Sequence, residues 1–299
     1  IIVVKKLIFF ALTLSFSLVI SCEQTYVSPS GMLKLFVAVG QSGRIAVSKD
    51  GMFWTDATQP ISHLRGVAFG NGTIAAVAQS GDLILTSTDG ITWKNRSQSG
   101  TFYGITYGAG KFVTVGNGGV ILTSTDGITW TDRTQAGTFY CVTYGAGIYV
   151  AAGTAGTIRT STDTITWNNE NEAGDSFYGI TFGNGLFVAV GDNGRIMTSP
   201  DGATWTDESQ GSDRFYGVVF ANGRFVAVGE NGLILTSTDG ATWDDKSIST
   251  SDDLFAISYG NGKFVAAGQN GLILVSTDCK TWHNYMLRGQ TFRGIVYAE

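Results

Sequence analysis

Short apolar runs separated by glycine and other turn residues recur along most of this chain, in the same order each time. Residues 111–147 show the unit: Lys-Phe-Val-Thr-Val-Gly, Asn-Gly, Gly-Val-Ile-Leu-Thr-Ser, Thr-Asp-Gly, Ile-Thr-Trp-Thr-Asp, Arg-Thr-Gln-Ala-Gly-Thr, then Phe-Tyr-Cys-Val-Thr-Tyr-Gly-Ala-Gly. The runs are rich in β-branched and aromatic residues, and Gly, Asn and Asp mark the breaks, so each unit predicts four antiparallel strands. Asp126-Gly127, standing between two β-branched runs, predicts a tight hairpin, because glycine accepts the positive φ that such turns require.

The register of the unit is fixed by tryptophan. Trp54, Trp93, Trp130, Trp167, Trp205, Trp243 and Trp282 occupy the same place in successive copies and are separated by 39, 37, 37, 38, 38 and 39 residues. Seven copies of four strands predict an all-β, seven-bladed β-propeller running through residues 33–299. The phase of the array adds a constraint. Its first run, at 36–39, is the second strand of a unit, whereas its last, Thr-Phe-Arg-Gly-Ile-Val-Tyr at 291–297, is the innermost first strand. The C-terminal strand is therefore expected to complete the N-terminal blade, leaving no open edge at the seam.

Composition agrees with a turn-rich β-protein holding a large core. Of 299 residues 41 are glycine and 3 proline, and 43% are apolar against 14% charged. The first residues are of a different kind: Lys5 and Lys6, an apolar run at 7–20, then Ser21 and Cys22. This arrangement reads as an export signal over 1–21, the apolar run being short for a membrane span. Val19-Ile20-Ser21-Cys22 resembles the lipobox of bacterial lipoprotein precursors. The resemblance implies lipidation of Cys22, a tether over 22–32, and a mature protein anchored in the bacterial cell envelope, periplasmic-facing or at the cell surface. Loss of 1–21 removes two lysines, leaving 17 Lys and Arg against 24 Asp and Glu. Such a balance argues against nucleic acid as a partner and leaves membrane attachment to the acyl chains. Cys141 and Cys279 replace different residues of distant units, so no disulfide between them is expected.

The turn Ser-x-Asp-Gly-x-Thr-Trp resembles the Asp-box, or BNR, repeat shared by sialidase-type propellers, sortilin-like propellers and the photosystem II assembly-factor type of seven-bladed propeller. The likeness spans the whole array, although the usual box, Ser-x-Asp-x-Gly-x-Thr-Trp, has one more residue between Asp and Gly. It implies a fold more than a function. The box aspartates Asp50, Asp89, Asp126, Asp163, Asp201, Asp239 and Asp278 occur in every copy, which suits carboxylates that accept hydrogen bonds from their own turn better than a catalytic or metal site. The seven tryptophans are assigned to packing between blades. His63 and His283 lie at unrelated positions, so no histidine metal centre or Ser-His-Asp triad is supported, and no cofactor is called for. Sialidase chemistry would require an arginine cluster, a tyrosine nucleophile with its glutamate, and an acid. The Arg-Ile-Pro signature of that family is missing, since Arg44-Ile45 and Arg195-Ile196 lack the proline.

One position breaks the repetition. The second residue of the innermost strand is Tyr103, Tyr140, Tyr178, Tyr216 and Phe255 in five units but Arg65 and Arg293 in two, which the closure makes neighbours. At a channel mouth this would be an aromatic ring with one basic quadrant, suited to a sugar or to an anionic group such as a carboxylate. The plainer alternative pairs the arginines with loop acids such as Asp213, Asp252 or Asp253. Loops on the same face, at 58–63, 169–175, 209–213 and 247–253, vary most and are often acidic, so a basic protein partner is equally consistent. The residues thus read as a monomeric, non-catalytic scaffold that binds a protein or ligand on one face. The alternative is a carbohydrate-binding or glycosidase-like protein working at the channel mouth.

Overall fold

The computed structural model describes residues 33–299 except 171, 172 and 288. The expected export signal, Cys22 and the expected tether all lie outside the described residues, and among those described no helix is long and apolar enough to cross a membrane. Seven four-stranded antiparallel sheets form the blades of a β-propeller. Blade 1 combines Phe292–Ala298, Leu35–Gly40, Ile45–Ser48 and Thr55–Asp56. Blades 2 to 7 follow in chain order, with inner strands Leu64–Gly70, Phe102–Gly108, Phe139–Gly145, Phe177–Gly183, Phe215–Ala221 and Leu254–Gly260.

The seam closes as the phase of the repeat requires. Phe292–Ala298 pairs antiparallel with Leu35–Gly40, with Val37 opposite Val296 and Ala38 opposite Ile295. A second latch lies at the other side of the seam. Lys263 Nζ of blade 7 donates to the Asp50 carbonyl of blade 1 at 2.9 Å, and Asn261 Nδ2 to the Lys49 carbonyl at 3.3 Å.

Inner strands crowd one another around the axis. A Cβ built on Gly104 would stand 2.8 Å from the Tyr140 carbonyl oxygen, and one on Gly294 2.7 Å from that of Arg65. The third position of the inner strand is accordingly Gly66, Gly104, Cys141, Gly179, Gly217, Ala256 and Gly294, always small. The core lies between blades rather than within them, because each sheet is apolar on both faces. Val188, Val190 and Ile196 of blade 5, for example, meet Phe215, Phe225 and Ala227 of blade 6, with Trp243 packed against them. All seven tryptophans pack against clusters of this kind.

The tight hairpin does not fall at Asp126-Gly127. Two-residue turns occur instead between the first and second strands, as at Ala109-Gly110, where both φ values are positive, 43° and 76°. The Asp-Gly pair belongs to a longer connection between Ile121–Ser124 and the short outer strand Thr131–Asp132. Its aspartate organises that loop. Ser124 Oγ accepts the Gly127 N–H at 2.8 Å, Asp126 Oδ1 accepts the N–H groups of Ile128 and Thr129 at 2.8 Å each, and the Trp130 indole donates to the Gly127 carbonyl at 3.2 Å. The serine and aspartate bonds recur in every blade, and the indole bond in all but blade 7. There Cys279 replaces the glycine and the Trp282 indole nitrogen is left without a partner. Cys141 and Cys279 are both free and buried.

Two outcomes are expected. Deleting residues 291–299 removes the inner strand of blade 1 and should abolish cooperative melting; a truncated protein with an unchanged calorimetric transition would contradict the closure. Backbone N–H donors hold the carboxyls of Asp126, Asp163, Asp201, Asp239 and Asp278 below the ordinary aspartate range, and at Asp50 and Asp89 burial opposes the same donors but is outweighed. A depressed folded-state value gives stability that is complete above the unfolded value of about 4 and is lost as pH falls through the folded one. The melting temperature should therefore drop on acidification below about pH 4. A flat profile down to about pH 2 would exclude this role for the box carboxylates.

Candidate functional site

The second residues of the inner strands meet at one end of the axial channel. Arg65, Tyr103, Tyr140, Tyr178, Tyr216, Phe255 and Arg293 all line a single cavity of about 400 Å³. Backbone direction explains the convergence. Each inner strand starts at this mouth, its first residue is a buried Phe or Leu that anchors it, and the next side chain points towards the axis. The small third residue keeps the neighbouring strand close, so adjacent side chains touch. Ring centroids are 5.2 Å apart for Tyr103 and Tyr140, 5.1 Å for Tyr140 and Tyr178, 5.9 Å for Tyr178 and Tyr216, and 4.8 Å for Tyr216 and Phe255.

The arginines close this arc at both ends. The Arg65 guanidinium lies 5.3 Å from the Tyr103 ring centroid and that of Arg293 lies 3.7 Å from the Phe255 centroid, both within cation–π range. Arg65 Nε donates to Gln79 Oε1 at 2.8 Å. Neither arginine has a carboxylate within 4.0 Å among the described residues, so the expected pairing with loop acids does not form. Two of those acids are engaged elsewhere: Asp253 Oδ1 accepts the Asn231 N–H at 3.1 Å, and Asp252 Oδ1 the Asn270 amide at 2.8 Å. Burial lowers the pKa of both guanidinium groups, and at Arg293 the charge of Arg65 lowers it further. Two like charges held together and partly out of water favour an anion between them.

A third arginine, which comparison at the second position did not reveal, stands across the ring. Arg214 lines the same cavity but bonds through Nε to Asp192 Oδ1, and its Nη1 lies 3.5 Å from Glu230 Oε1. Tyr178 donates to Asp192 at 3.0 Å and Tyr216 to Glu230 at 3.4 Å. Burial, assisted by the Asp192 charge, pushes Tyr178 up to about 12, and burial also raises Tyr216. Both phenols are therefore neutral donors at ordinary pH. The signal existed one column earlier, in the residue before each inner strand: His63, Thr101, Thr138, Ser176, Arg214, Asp253 and Thr291. The acids were visible in the column after each second strand, Gln41, Gln79, Asn117, Thr154, Asp192, Glu230 and Gln269.

The mouth is thus polarised, with an uncompensated arginine pair on blades 1 and 2 and an arginine balanced by two acids on blades 5 and 6. No Asp, Glu or His is among the residues lining the cavity. No group of three or more His, Cys, Asp or Glu that could hold a metal ion occurs among the described residues. Arg44 and Arg195 lie outside the cavity and hold inter-blade loops, Arg195 donating to the carbonyls of Asp175 and Ala173 and Arg44 to that of Leu287. The box aspartates stand at the far end of the sheets.

Comparison with solved structures supports the fold. The chain is similar to a structure described as YCF48 bound to D1 peptide, with a TM-score of 0.65 and 21% identity over 81% of this chain and 89% of that one. YCF48 from Cyanidioschyzon merolae gives 0.61 and 17% over 76% and 87%. The WD40 β-propeller domain of Doa1 gives 0.69 at 12% identity over 82% and 89%. No protein-family profile and no curated protein sequence matches the chain. At these identities the likeness establishes a β-propeller and no more.

Proposed function

We propose that this chain is a lipid-anchored propeller of the bacterial cell envelope, built on Asp-box repeats, that acts as a non-catalytic binding or assembly scaffold. Its channel mouth grips a carboxylate presented by a protein partner. The observation that carries this reading is the pair Arg65 and Arg293, desolvated, without a carboxylate partner, and set at the end of an aromatic arc. Guanidinium groups in that state bind a carboxylate through charge-assisted hydrogen bonds, while the rings of the aromatic arc offer their faces to the group that bears it. The solved propeller bound to D1 peptide lends support, being a protein of similar fold with a peptide ligand. The lipobox-like sequence before Cys22 supports the anchor, and the recurring serine and aspartate bonds of the seven turns support the Asp-box assignment.

A second reading, a carbohydrate-binding or glycosidase-like protein, draws on the aromatic arc and on the Tyr216–Glu230 contact beside Arg214. The electrostatics favour it less. Arg214 is already paired with Asp192 and Glu230, which leaves two of the three arginines for a substrate carboxylate, and the Tyr216 hydroxyl is made a weaker acid where a nucleophile needs the reverse.

The test is capture of envelope proteins by the full chain, followed by affinity measurement on the captured partner. Each charge-assisted bond contributes about 1.5–3 kcal/mol, so Arg65→Ala with Arg293→Ala should weaken binding by about 100-fold or more. Binding undiminished in the double variant would overturn the proposal. Binding to a glycan array in place of any protein would favour the second reading.

A further inference from the structure

The face opposite the channel mouth carries an ordered set of apolar side chains. Phe53, Ile91, Ile128 and Ile165 are 80%, 47%, 50% and 56% exposed, and they account for four of the five strongly exposed large hydrophobic residues among those described. They are not scattered. Each lies in the box turn, between the box aspartate and the outer strand, on blades 1, 2, 3 and 4 in succession. The corresponding turns of blades 5, 6 and 7 present Ala203, Ala241 and Lys280, so the apolar tips form an arc covering one side of the disc. The turns cannot fold the tips away, because the box carboxylate holds the backbone at their base: Asp89 Oδ1 accepts the Ile91 N–H at 2.8 Å and Asp163 Oδ1 the Ile165 N–H at 2.7 Å.

The chain enters the propeller at this face and inside this arc. Phe36, near the start of the second strand of blade 1, pairs with Ser48, which immediately precedes the box turn of that blade. A Cβ on Gly90, in the box turn of blade 2, would lie 3.2 Å from both Leu35 and Val47. Leu35 thus sits between the turns that present Phe53 and Ile91. Thirteen residues separate it from Cys22, a contour of at most about 45 Å.

We propose that this arc is a membrane-contacting surface, which rests on the reading of Cys22 as a lipid anchor. An anchored propeller then sits with Phe53, Ile91, Ile128 and Ile165 in the interfacial region of the bilayer and with the Arg65–Arg293 mouth facing away from it. Four partly inserted side chains bind weakly in free solution, but the tether raises their effective concentration at the surface. Basic and acidic groups are interspersed along the arc: Lys94 and Arg96 line a groove with Asp89, Asp126 and Ile128, Lys111 and Arg133 line one with Ile165, and Lys263 donates to the Asp50 carbonyl. Charges of both signs match the headgroup of a zwitterionic lipid, which is the partner surface.

The full chain, carrying an environment-sensitive fluorescent amino acid at position 128 or at position 136 on the channel face, tests this on phosphatidylcholine vesicles containing nitroxide lipid. It is held there by its own acyl chains. If mass spectrometry of the Cys22 peptide shows no acylation, the Cys22 thiol is coupled to a maleimide lipid instead, Cys141 and Cys279 being buried. Quenching of about twofold or more is expected at 128 and none at 136. Phe53→Ser, Ile91→Ser and Ile165→Ser together should abolish the quenching at 128 without releasing the chain from the vesicles. Equal quenching at both positions, or none at 128, overturns the proposal, and a dimeric mass with none at 128 assigns the arc to a second copy. Missing acylation overturns only the anchor reading, since the coupled chain still reports on the arc.

Discussion

Seven inner strands converge on one axis, and the close approach of each to the next is the constraint on which the rest of the molecule depends. Where the backbones come nearest, a side chain would meet the neighbouring carbonyl within about 3 Å, and the sequence keeps that position small in all seven blades. The consequence reaches outward and upward. Outward, blades so close must share their apolar faces, which places the core between sheets and the tryptophans against the clusters formed there. Upward, the residue just before the small one stands at the channel mouth beside its neighbours, so one strand position supplies most of the charged and aromatic lining of the cavity, with Arg214 added from the position before it. The same crowding makes the seam between Leu35–Gly40 and Phe292–Ala298 indispensable, because a ring of inner strands cannot remain close-packed around a gap.

Within that ring, repetition and exception divide the work. Serine, aspartate and tryptophan recur because every blade needs the same turn organised and the same interface filled. Charge does not recur. Arg214 is neutralised by Asp192 and Glu230, whereas Arg65 and Arg293 keep their charge in a partly desolvated setting with a glutamine and two aromatic rings for company. A cavity so arranged holds, at one edge, two guanidinium groups with no carboxylate within 4.0 Å among the described residues, a setting that favours a negative group there.

Much of this was legible in the sequence because seven copies supply their own comparison. Tryptophan spacing gave blade number, the phase of the last strand gave the seam, and the second position of the inner strand gave the ring of Arg65, Tyr103, Tyr140, Tyr178, Tyr216, Phe255 and Arg293. The failures have physical causes. Asp126-Gly127 looks like a two-residue hairpin, but its carboxylate accepts two backbone N–H groups and so organises a longer loop. Arg214 escaped notice because it enters the cavity from the position before the strand, and its partners come from two blades. Asp252 and Asp253, two of the loop acids offered as partners for Arg65 and Arg293, serve a neighbouring amide and backbone N–H, a matter of three-dimensional path that spacing does not encode. The apolar arc draws on two adjacent places in the turn, Ile91, Ile128 and Ile165 at one and Phe53 at the next, and acquires meaning only once all the turns are seen to share a face.

The central claim is that Arg65 and Arg293, and not Arg214, are the groups available to a ligand. Guanidinium resonances observed by nitrogen-15 NMR, during titration of the full chain with an acetylated peptide acid and then with the corresponding peptide amide, test it most directly. The account predicts that the acid shifts the Arg65 and Arg293 signals, that the amide leaves them in place, and that Arg214 responds to neither. Movement of Arg214 together with the other two, or an equal response to acid and amide, would contradict it.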